Sequence, residues 1–409
     1  MSIKHEIKGL EIVPGGITAP RGFQAAAAAA EIRYPNRPDL ALICSEVPAV
    51  AAAVYTRNKV QAAPLIVSRE HLTNGQAQAV VINAGIANAA TGQQGLADAR
   101  QMAYLTAEAL QIAPENVVVA STGVIGQLLP MERVEKGIRQ AATQLSPAGG
   151  AEAAQAIMTT DTRRKEVAVK LHISGCPVTI GGMAKGSGMV HPDMATMLGF
   201  ITTDAAIEPG VLQQALKASI DRSFNLVTVD GDTSTNDMVL LLANGRANNP
   251  RIAGAGPDLA AFQAGLDYIT VYLAKEIARD GEGATRLIEV RVINAPSLDD
   301  GKKAARAIAG SSLVKSAVFG RDANWGRILA ALGYSGADFE PQQVDIYLGE
   351  VLVARDGAGL AFDEELARQV LEQETVVITV DLKAGPAAVT AWGCDLTFDY
   401  VKINASYRS

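Results

Sequence analysis

Short apolar runs that alternate with glycine and proline turn signals fill the first third of the chain. Two of them, DLALICSE (39–46) and AVVINAG (79–85), have the length and composition of strands. The run NVVVASTGVIG (116–126) predicts a strand that leads into a glycine-bearing loop. The segment FQAAAAAAEIRY (23–34) leaves helix and strand both open, because alanine favours helix while a short run between turns is typical of a strand.

Longer segments show helical or alternating patterns that together indicate a layered fold. Apolar residues recur at helical spacing in residues 95–113, 130–145, 208–224 and 257–280. A hairpin is predicted for 166–182, two strands around a polar loop for 225–245, and a strand-rich tail for 342–404. We therefore predict an α/β protein of α+β layers, in which antiparallel sheets are sandwiched with helices.

Composition narrows the class of protein. The 409 residues fit two or three lobes, and 48% hydrophobic residues supply a core. The net charge of -7 argues against nucleic acid and anionic membrane as partners. The longest apolar run near the N-terminus, residues 25–30, is too short to span a bilayer, and no secretory signal precedes it. Three scattered cysteines and four histidines without ligand spacing predict neither disulfides nor zinc, so we expect a soluble cytoplasmic protein.

The glycine-rich stretch GGMAKGSGM (181–189) precedes HPDMATMLGF (191–200), where a threonine stands among apolar residues. The stretch is no phosphate-binding loop, because Lys185 precedes Gly186 and no GxGxxG occurs. Thr196 is either an ordinary strand-opening or helix-capping residue or a nucleophile. As a nucleophile, its hydroxyl would attack the carbonyl of Ala195, and water would release a chain beginning at Thr196. Its free α-amine, with a pKa of about 7.7–8.0, would then serve as the base.

Motifs along nearly the whole chain help to decide between a structural and a nucleophilic role for Thr196. They are GGMAKGSGMVHPDMATMLGFITTDA (181–205), ASTGVIG (120–126), MTTDT (158–162), TVDGDTSTND (228–237), DGEGATRL (280–287), FGRDANWGR (319–327) and YVKINASYRS (400–409). In this order they resemble the ornithine acetyltransferase (glutamate N-acetyltransferase) family of arginine biosynthesis. Members of that family are precursors that cleave themselves at the Ala-Thr bond of MATML.

The resemblance implies two chains and a catalytic set. Cleavage between Ala195 and Thr196 gives an alpha chain of residues 1–195 and a beta chain of residues 196–409, which ends in a strand-rich lobe. Thr196 becomes the nucleophile, and its N-terminal amine becomes the base. Thr122 and Gly123 match the family's oxyanion hole, a role that suits donors in a tight turn after a strand.

The resemblance also implies substrate-binding residues and no cofactor or metal. The substrate-binding positions are Thr159, Lys185, Thr196, Glu282, Asn404 and Ser409. Lys185 would offer an ammonium to a substrate carboxylate, and Glu282 would pair with the amine of an ornithine-like chain. Ser409 stands where many members carry threonine, and it keeps the hydroxyl.

The activity that the resemblance implies is acetyl transfer from N-acetylornithine to glutamate by a ping-pong reaction through an acetyl-enzyme. Some members also accept acetyl-CoA as the first donor. The implied fold is similar to N-terminal-nucleophile hydrolases but differently connected, and the implied assembly is a heterotetramer of two alpha and two beta chains. Two alternatives remain: a self-cleaving amidohydrolase or aminopeptidase that uses water as acceptor, and a binding or assembly protein that stays uncleaved.

The sequence leaves the roles of two polar clusters undecided. The loop VDGDTSTND (229–237) carries Asp230, Asp232 and Asp237, which we expect to form a hydrogen-bonding scaffold near the active cleft rather than a metal site, because the calcium-loop pattern is not met. The cluster in GRDANWGR (320–327) fits either an interface or site wall, or a capped surface helix.

Overall fold

The computed structural model describes residues 9–191 and 197–406. The strands are Glu11–Val13 (β1), Phe23–Ala28 (β2), Leu40–Tyr55 (β3), Gln76–Ile86 (β4), Val117–Val124 (β5), Lys165–Ile173 (β6), Cys176–Lys185 (β7), Leu198–Thr203 (β8), Met238–Ala243 (β9), Leu287–Ala295 (β10), Asp345–Leu348 (β11), Val351–Arg355 (β12), Ala358–Gly359 (β13), Thr375–Asp381 (β14) and Ala387–Cys394 (β15). The helices are Ala63–His71 (α1), Gly92–Leu110 (α2), Met131–Thr143 (α3), Gly150–Ala156 (α4), Pro209–Ile220 (α5), Pro257–Arg279 (α6), Leu298–Gly310 (α7), Ser312–Gly320 (α8), Trp325–Gly333 (α9), Glu364–Leu371 (α10) and Phe398–Ser406 (α11).

The first nine strands form one sheet in the part of the chain that the structure describes. Its order is β1-β6-β7-β8-β9-β3-β4-β5, with β2 paired to β3. Most neighbours are antiparallel, but β4–β5 and β8–β9 run parallel. The carboxyl ends of parallel strands meet at one edge of a sheet, so the end of β5 lies beside the end of β4.

Two central strands, β8 and β9, are buried at every position. The sequence MVLLLA of β9 is a continuous apolar run, as expected for a strand covered on both faces. β8 pairs with β7 on one side and with β9 on the other. A strand in that position has both edges hydrogen-bonded, so it is held by the whole sheet.

The last six strands of the described residues form a second sheet, in the order β13-β12-β11-β14-β10-β15. Helix α7 packs against β10 and β15 of this sheet, and α6 packs against β6 and β7 of the first. One apolar core includes Ile201 of β8, Leu273 of α6 and Val290 of β10, which shows that the two sheets share buried contacts through the helices. The predicted layered α/β class is therefore confirmed, and the sheets are mixed.

Several segment predictions are confirmed and a few are corrected. The hairpin at 166–182 is β6–β7, and the alanine-rich segment forms strand β2, because pairing with β3 overrides the helix preference of alanine. Residues 398–404, placed in the strand-rich tail, belong to helix α11. Residues 225–245 contain one strand, β9, and not two. Among the described residues, no helix combines the length and hydropathy needed to cross a membrane.

Candidate functional site

A cavity of about 190 Å³ opens where the ends of several strands meet. Six of the predicted site residues line it: Thr122, Gly123, Thr159, Lys185, Glu282 and Asn404. They come from β5, from the loop after α4, from the end of β7, from the α6–β10 loop and from α11. Ala195, Thr196 and Ser409 lie outside the described residues. Met197, which follows Thr196 in the sequence, lines the same cavity.

The oxyanion-hole candidates stand near the carboxyl end of β5, beside an irregularity in the register of the β4–β5 pair. Gly123 has a φ of +133° and pairs across the parallel ladder with Gly85 of β4. A Cβ at position 123 would lie 2.1 Å from the carbonyl carbon of Gly85. Only glycine fits both that φ and that close approach, so the backbone at 122–123 is fixed where it faces the cavity.

Lys185, the last residue of β7, reaches two hydroxyl groups on one side of the cavity. Its Nζ donates hydrogen bonds to Thr159 Oγ1 at 2.8 Å and to Thr122 Oγ1 at 3.3 Å. We call Thr122, Thr159 and Lys185 the cationic wall. Only 8% of Lys185 is exposed. Burial lowers its pKa below the ordinary value, although the carboxylate of Asp161 opposes that effect.

A buried ionic network supports the cationic wall from behind. Lys165 Nζ lies 2.7 Å from Asp161 Oδ1 and 2.5 Å from Asp280 Oδ2, and all three residues are buried. Asp161 also accepts a hydrogen bond from the amide of Gly186 at 2.7 Å. Burial alone would raise the pKa of Asp161. The ammonium groups of Lys185 and Lys165 lower that pKa by a larger amount, so it lies below the ordinary value. Asp161 therefore stays ionised and balances the charge of Lys185.

Carboxylates also line the cavity. Asp230, Asp232 and Glu282, which we call the acidic wall, all line it. Glu282 is buried, accepts a hydrogen bond from Asn404 Nδ2 at 2.8 Å, and donates its own amide to the carbonyl of Ser187. A Cβ on Gly188 would lie 2.4 Å from the Glu282 carboxyl carbon. The glycine at 188 is thus what allows this carboxylate to reach the cavity.

The loop 230–237 is tied down at both ends, as the scaffold prediction expected. Asp230 accepts the amides of Met189 at 2.6 Å and Val190 at 2.9 Å. Asn236 donates from Nδ2 to the carbonyls of Ala87 at 2.6 Å and Ser121 at 2.8 Å. These bonds connect the loop to the glycine-rich segment and to the ends of β4 and β5. Sequence reasoning did not single out Asn236.

Asp237 is a buried carboxyl group with a strongly shifted pKa. It lines the cavity, and 2% of it is exposed. Its Oδ2 has no hydrogen-bond partner within the described residues. Burial raises its pKa well above the ordinary value, which nearby hydroxyls of Ser234 and Thr56 and the ammonium of Lys185 only partly offset. This group thus favours its neutral form far more than an exposed aspartate.

Two further observations concern metal ligands and the motif at 320–327. In the described part of the chain, no group of three His, Cys, Asp or Glu is arranged to hold a metal ion. Asn324 caps helix α9 by accepting the amide of Arg327, and Arg321 takes the left-handed conformation that ends α8. The motif at 320–327 is therefore a capped helix boundary outside the cavity lining.

The cavity can bind a small molecule that carries charges of both signs. An ammonium and two hydroxyls suit a carboxylate, and the acidic wall suits an amine. Residues 122–123 of β5 carry backbone and hydroxyl donors of the kind that stabilise an oxyanion. Together these groups suit the binding of an amino acid.

Comparison with known proteins agrees with this arrangement. The ArgJ family model matches residues 24–409. The arginine biosynthesis bifunctional protein ArgJ of Symbiobacterium thermophilum is 60% identical over 402 residues, which is 98% of this chain and 100% of that protein. The protein of that name from Caldanaerobacter subterraneus subsp. tengcongensis is 53% identical over 98% of this chain and 100% of its own length. A crystal structure of arginine biosynthesis bifunctional protein argJ from Bacillus halodurans, 49% identical, covers 52% of this chain and 100% of that chain with a TM-score of 0.51. The chain therefore belongs to the ArgJ family, whose members are acyltransferases of arginine biosynthesis.

Proposed function

We propose that the protein transfers an acetyl group from N-acetylornithine to glutamate by way of an acetyl ester on Thr196. The observation that carries the proposal is the pairing of a cationic wall with an acidic wall in one small cavity. N-acetylornithine presents an α-carboxylate and a chain ammonium, so its two charges match the two walls. Lys185 would hold the carboxylate, and Glu282 would face the ammonium.

The proposed reaction has two half-reactions. The hydroxyl of Thr196 attacks the acetyl carbonyl while its own α-amine takes the hydroxyl proton. The donors at Thr122 and Gly123 stabilise the oxyanion, and the bond to the α-nitrogen breaks as that nitrogen receives the proton, which releases ornithine. The α-amine of glutamate then attacks the ester carbonyl, the bond between the acetyl carbon and Thr196 Oγ1 breaks, and the proton lost by the amine passes through the Thr196 α-amine to that oxygen. N-acetylglutamate leaves, and the free Thr196 hydroxyl is restored.

The nucleophile requires a free α-amine, so we also propose cleavage of the bond between Ala195 and Thr196. Lys185 ends β7 and Leu198 begins β8, and these residues are register partners in the antiparallel pair. Because β7 and β3 of the alpha chain would remain hydrogen-bonded to β8 and β9 of the beta chain, the two chains would stay associated after cleavage. By the same resemblance, we propose that two such pairs assemble into a heterotetramer in the cytoplasm.

We further propose acetyl-CoA as an alternative first donor. The names of the relatives from Symbiobacterium thermophilum and Caldanaerobacter subterraneus contain the word bifunctional, which supports a second activity. Acetyl-CoA would form the same acetyl ester and would feed the same glutamate step. Adding acetyl-CoA and glutamate without N-acetylornithine should then yield N-acetylglutamate.

Intact-mass measurement of the purified protein tests the cleavage. We expect two fragments that correspond to residues 1–195 and 196–409, and a single species of 42.7 kDa for Thr196→Ala. A single uncleaved species in the wild type, with full transferase activity, would reject the N-terminal nucleophile.

Incubation with N-acetylornithine, with and without glutamate, tests the transfer. We expect ornithine release to depend on glutamate after a first turnover, because the acetyl-enzyme waits for an acceptor. Equal and continuous release without glutamate would support the hydrolase alternative, in which water is the acceptor.

A further inference from the structure

Tyr400 of helix α11 lines the same cavity as the three carboxylates of the acidic wall. Burial raises the pKa of Tyr400, and the negative charges of Asp230, Glu282 and Asp232 raise it further. All four residues line the cavity. The negative charges of two separate segments, the loop 230–237 and the α6–β10 loop, therefore act on the same region of the binding site.

Two of these carboxylates have structural partners, and the third does not. Asp230 accepts backbone amides of the glycine-rich segment, and Glu282 accepts from Asn404. Asp232 is exposed, and its own amide is bonded to Asp230 Oδ1 at 3.2 Å. Among the described residues, no side chain donates a hydrogen bond or an ion pair to its carboxylate. Asp232 thus keeps its charge available for a molecule in the cavity.

The proposed function makes opposite demands on this region. The donor N-acetylornithine carries a cationic chain, and the acceptor glutamate carries an anionic one. If Lys185 holds the α-carboxylate of each substrate in turn, both chains extend from the same fixed point. A carboxylate near the chain then attracts one substrate and repels the other.

We propose that Asp232 sets the relative specificity of the two half-reactions by favouring the cationic chain of the donor over the anionic chain of the acceptor. This inference rests on the proposed transferase function and on the common orientation of both substrates. Asp232 acts as a specificity-determining residue and takes no part in bond making.

The size of the effect follows from the exposure of Asp232. Interactions between exposed charges are weak, so neutralising Asp232 should change each specificity constant by roughly two- to fivefold. The proposal is tested by the direction in which each specificity constant changes. In a ping-pong reaction, kcat/KM of each substrate reports only its own half-reaction, so the two constants can move independently.

The test compares Asp232→Asn with the wild type in the full enzyme. We expect kcat/KM for N-acetylornithine to fall and kcat/KM for glutamate to rise, each by roughly two- to fivefold. The conservative variant Asp232→Glu should keep both near the wild-type values. The matched control Asp338→Asn removes an exposed aspartate that does not line the cavity and should change neither.

Uncharged analogues isolate the charge. N-acetylnorvaline lacks the chain amine and glutamine lacks the chain carboxylate, so neither should respond to Asp232→Asn. Changes of both constants in one direction, or no change in either, would overturn the proposal for Asp232. A wild-type enzyme that shows no glutamate-dependent transfer would instead overturn the proposed function, so the two failures are distinct.

Discussion

The ammonium of Lys185 lies 3.8 Å from the carboxylate of Asp161, and both groups are buried. A buried ammonium tends to lose its proton, and a nearby carboxylate opposes that loss. The charge of the cationic wall therefore depends on a residue that does not line the cavity.

The first prediction concerns the pH dependence of Asp161→Asn. Burial already lowers the pKa of Lys185, and the loss of Asp161 should lower it further. The ammonium would be lost at lower pH, so the alkaline limb of the pH profile of kcat/KM for N-acetylornithine should move to lower pH. Adding Lys185→Arg to this variant should abolish that limb, because arginine stays charged. An alkaline limb that stays in place in Asp161→Asn would contradict the role of Asp161.

The second prediction concerns the stability of Asp161→Asn. Removing one partner of a buried ionic network costs about 3–5 kcal/mol, because the remaining charges lose their compensation. The folded-state pKa of Asp161 is below the ordinary 3.8, so its contribution to stability is present above pH 3.8 and is lost as pH falls below it. Urea unfolding should show a large difference from the wild type at pH 7 and a smaller one near pH 3.

Glu374→Gln serves as its control, because 96% of that side chain is exposed. Its free energy of unfolding should change by less than about 0.5 kcal/mol. A loss in Asp161→Asn that is no larger than this would show that Lys165 and Lys185 do not depend on Asp161.

The third prediction concerns Gly123→Ala. The added Cβ would meet the backbone of Gly85 at 2.1 Å, and the φ of +133° is unfavourable for any residue with a side chain. We expect the end of β5 to be displaced, with a loss of thermal stability and of nearly all activity. Gly126→Ala is the matched control, since Gly126 also has a positive φ, of +80°, but nothing within 4 Å of a Cβ. Equal effects of both variants on activity would show that the approach to Gly85 is unimportant.

The fourth prediction separates the hydroxyl of Thr122 from its backbone. Thr122→Val keeps the shape but removes the hydroxyl, and loss of one oxyanion donor lowers kcat by about 100- to 1000-fold. Thr122→Ser keeps the hydroxyl and should stay within about tenfold of the wild type. Similar kcat values for the valine and serine variants, measured with saturating substrates, would place the oxyanion elsewhere.

The helices and strands that the sequence predicted well are those that pack into the core, because burial produces a regular pattern of apolar residues along the chain. β4, β6 and α2 have apolar patterns that the core dictates, and they form close to the predicted positions. None of the residues of helix α11 is buried, so its sequence lacks the apolar spacing that contact with the core would require. The sequence pattern therefore placed this segment in a strand-rich tail. The sequence of the alanine-rich β2 fits both helix and strand, because its conformation is decided by pairing with a separate strand, β3.

The site shows a similar division. The residues carried over by family resemblance, such as Lys185 and Glu282, meet in one cavity. The supporting residues Asp161, Lys165 and Asp280 were missed, because the contact between Lys165 and Asp280 joins positions 115 apart in the chain. Spacing along the sequence carries no signal for such a pair, and only the folded chain brings it together.

The fifth prediction concerns Asp237, whose pKa is raised well above 3.8 by burial. In the unfolded chain this group ionises near pH 3.8, whereas in the folded protein it keeps its proton to higher pH. Ionisation of the unfolded state therefore costs the folded state stability as pH rises above 3.8, until the folded-state pKa is reached. The amide introduced by Asp237→Asn is neutral at every pH, so the difference in free energy of unfolding, variant minus wild type, should increase with pH from about pH 4. The ammonium of Lys185 faces the same cavity and lowers the pKa of Asp237, which partly offsets this trend. For the control Asp338→Asn, the difference in free energy of unfolding from the wild type should not change with pH. A difference for Asp237→Asn that stays flat or falls with pH, measured by urea unfolding at several pH values, would show that the carboxyl is ionised in the folded protein.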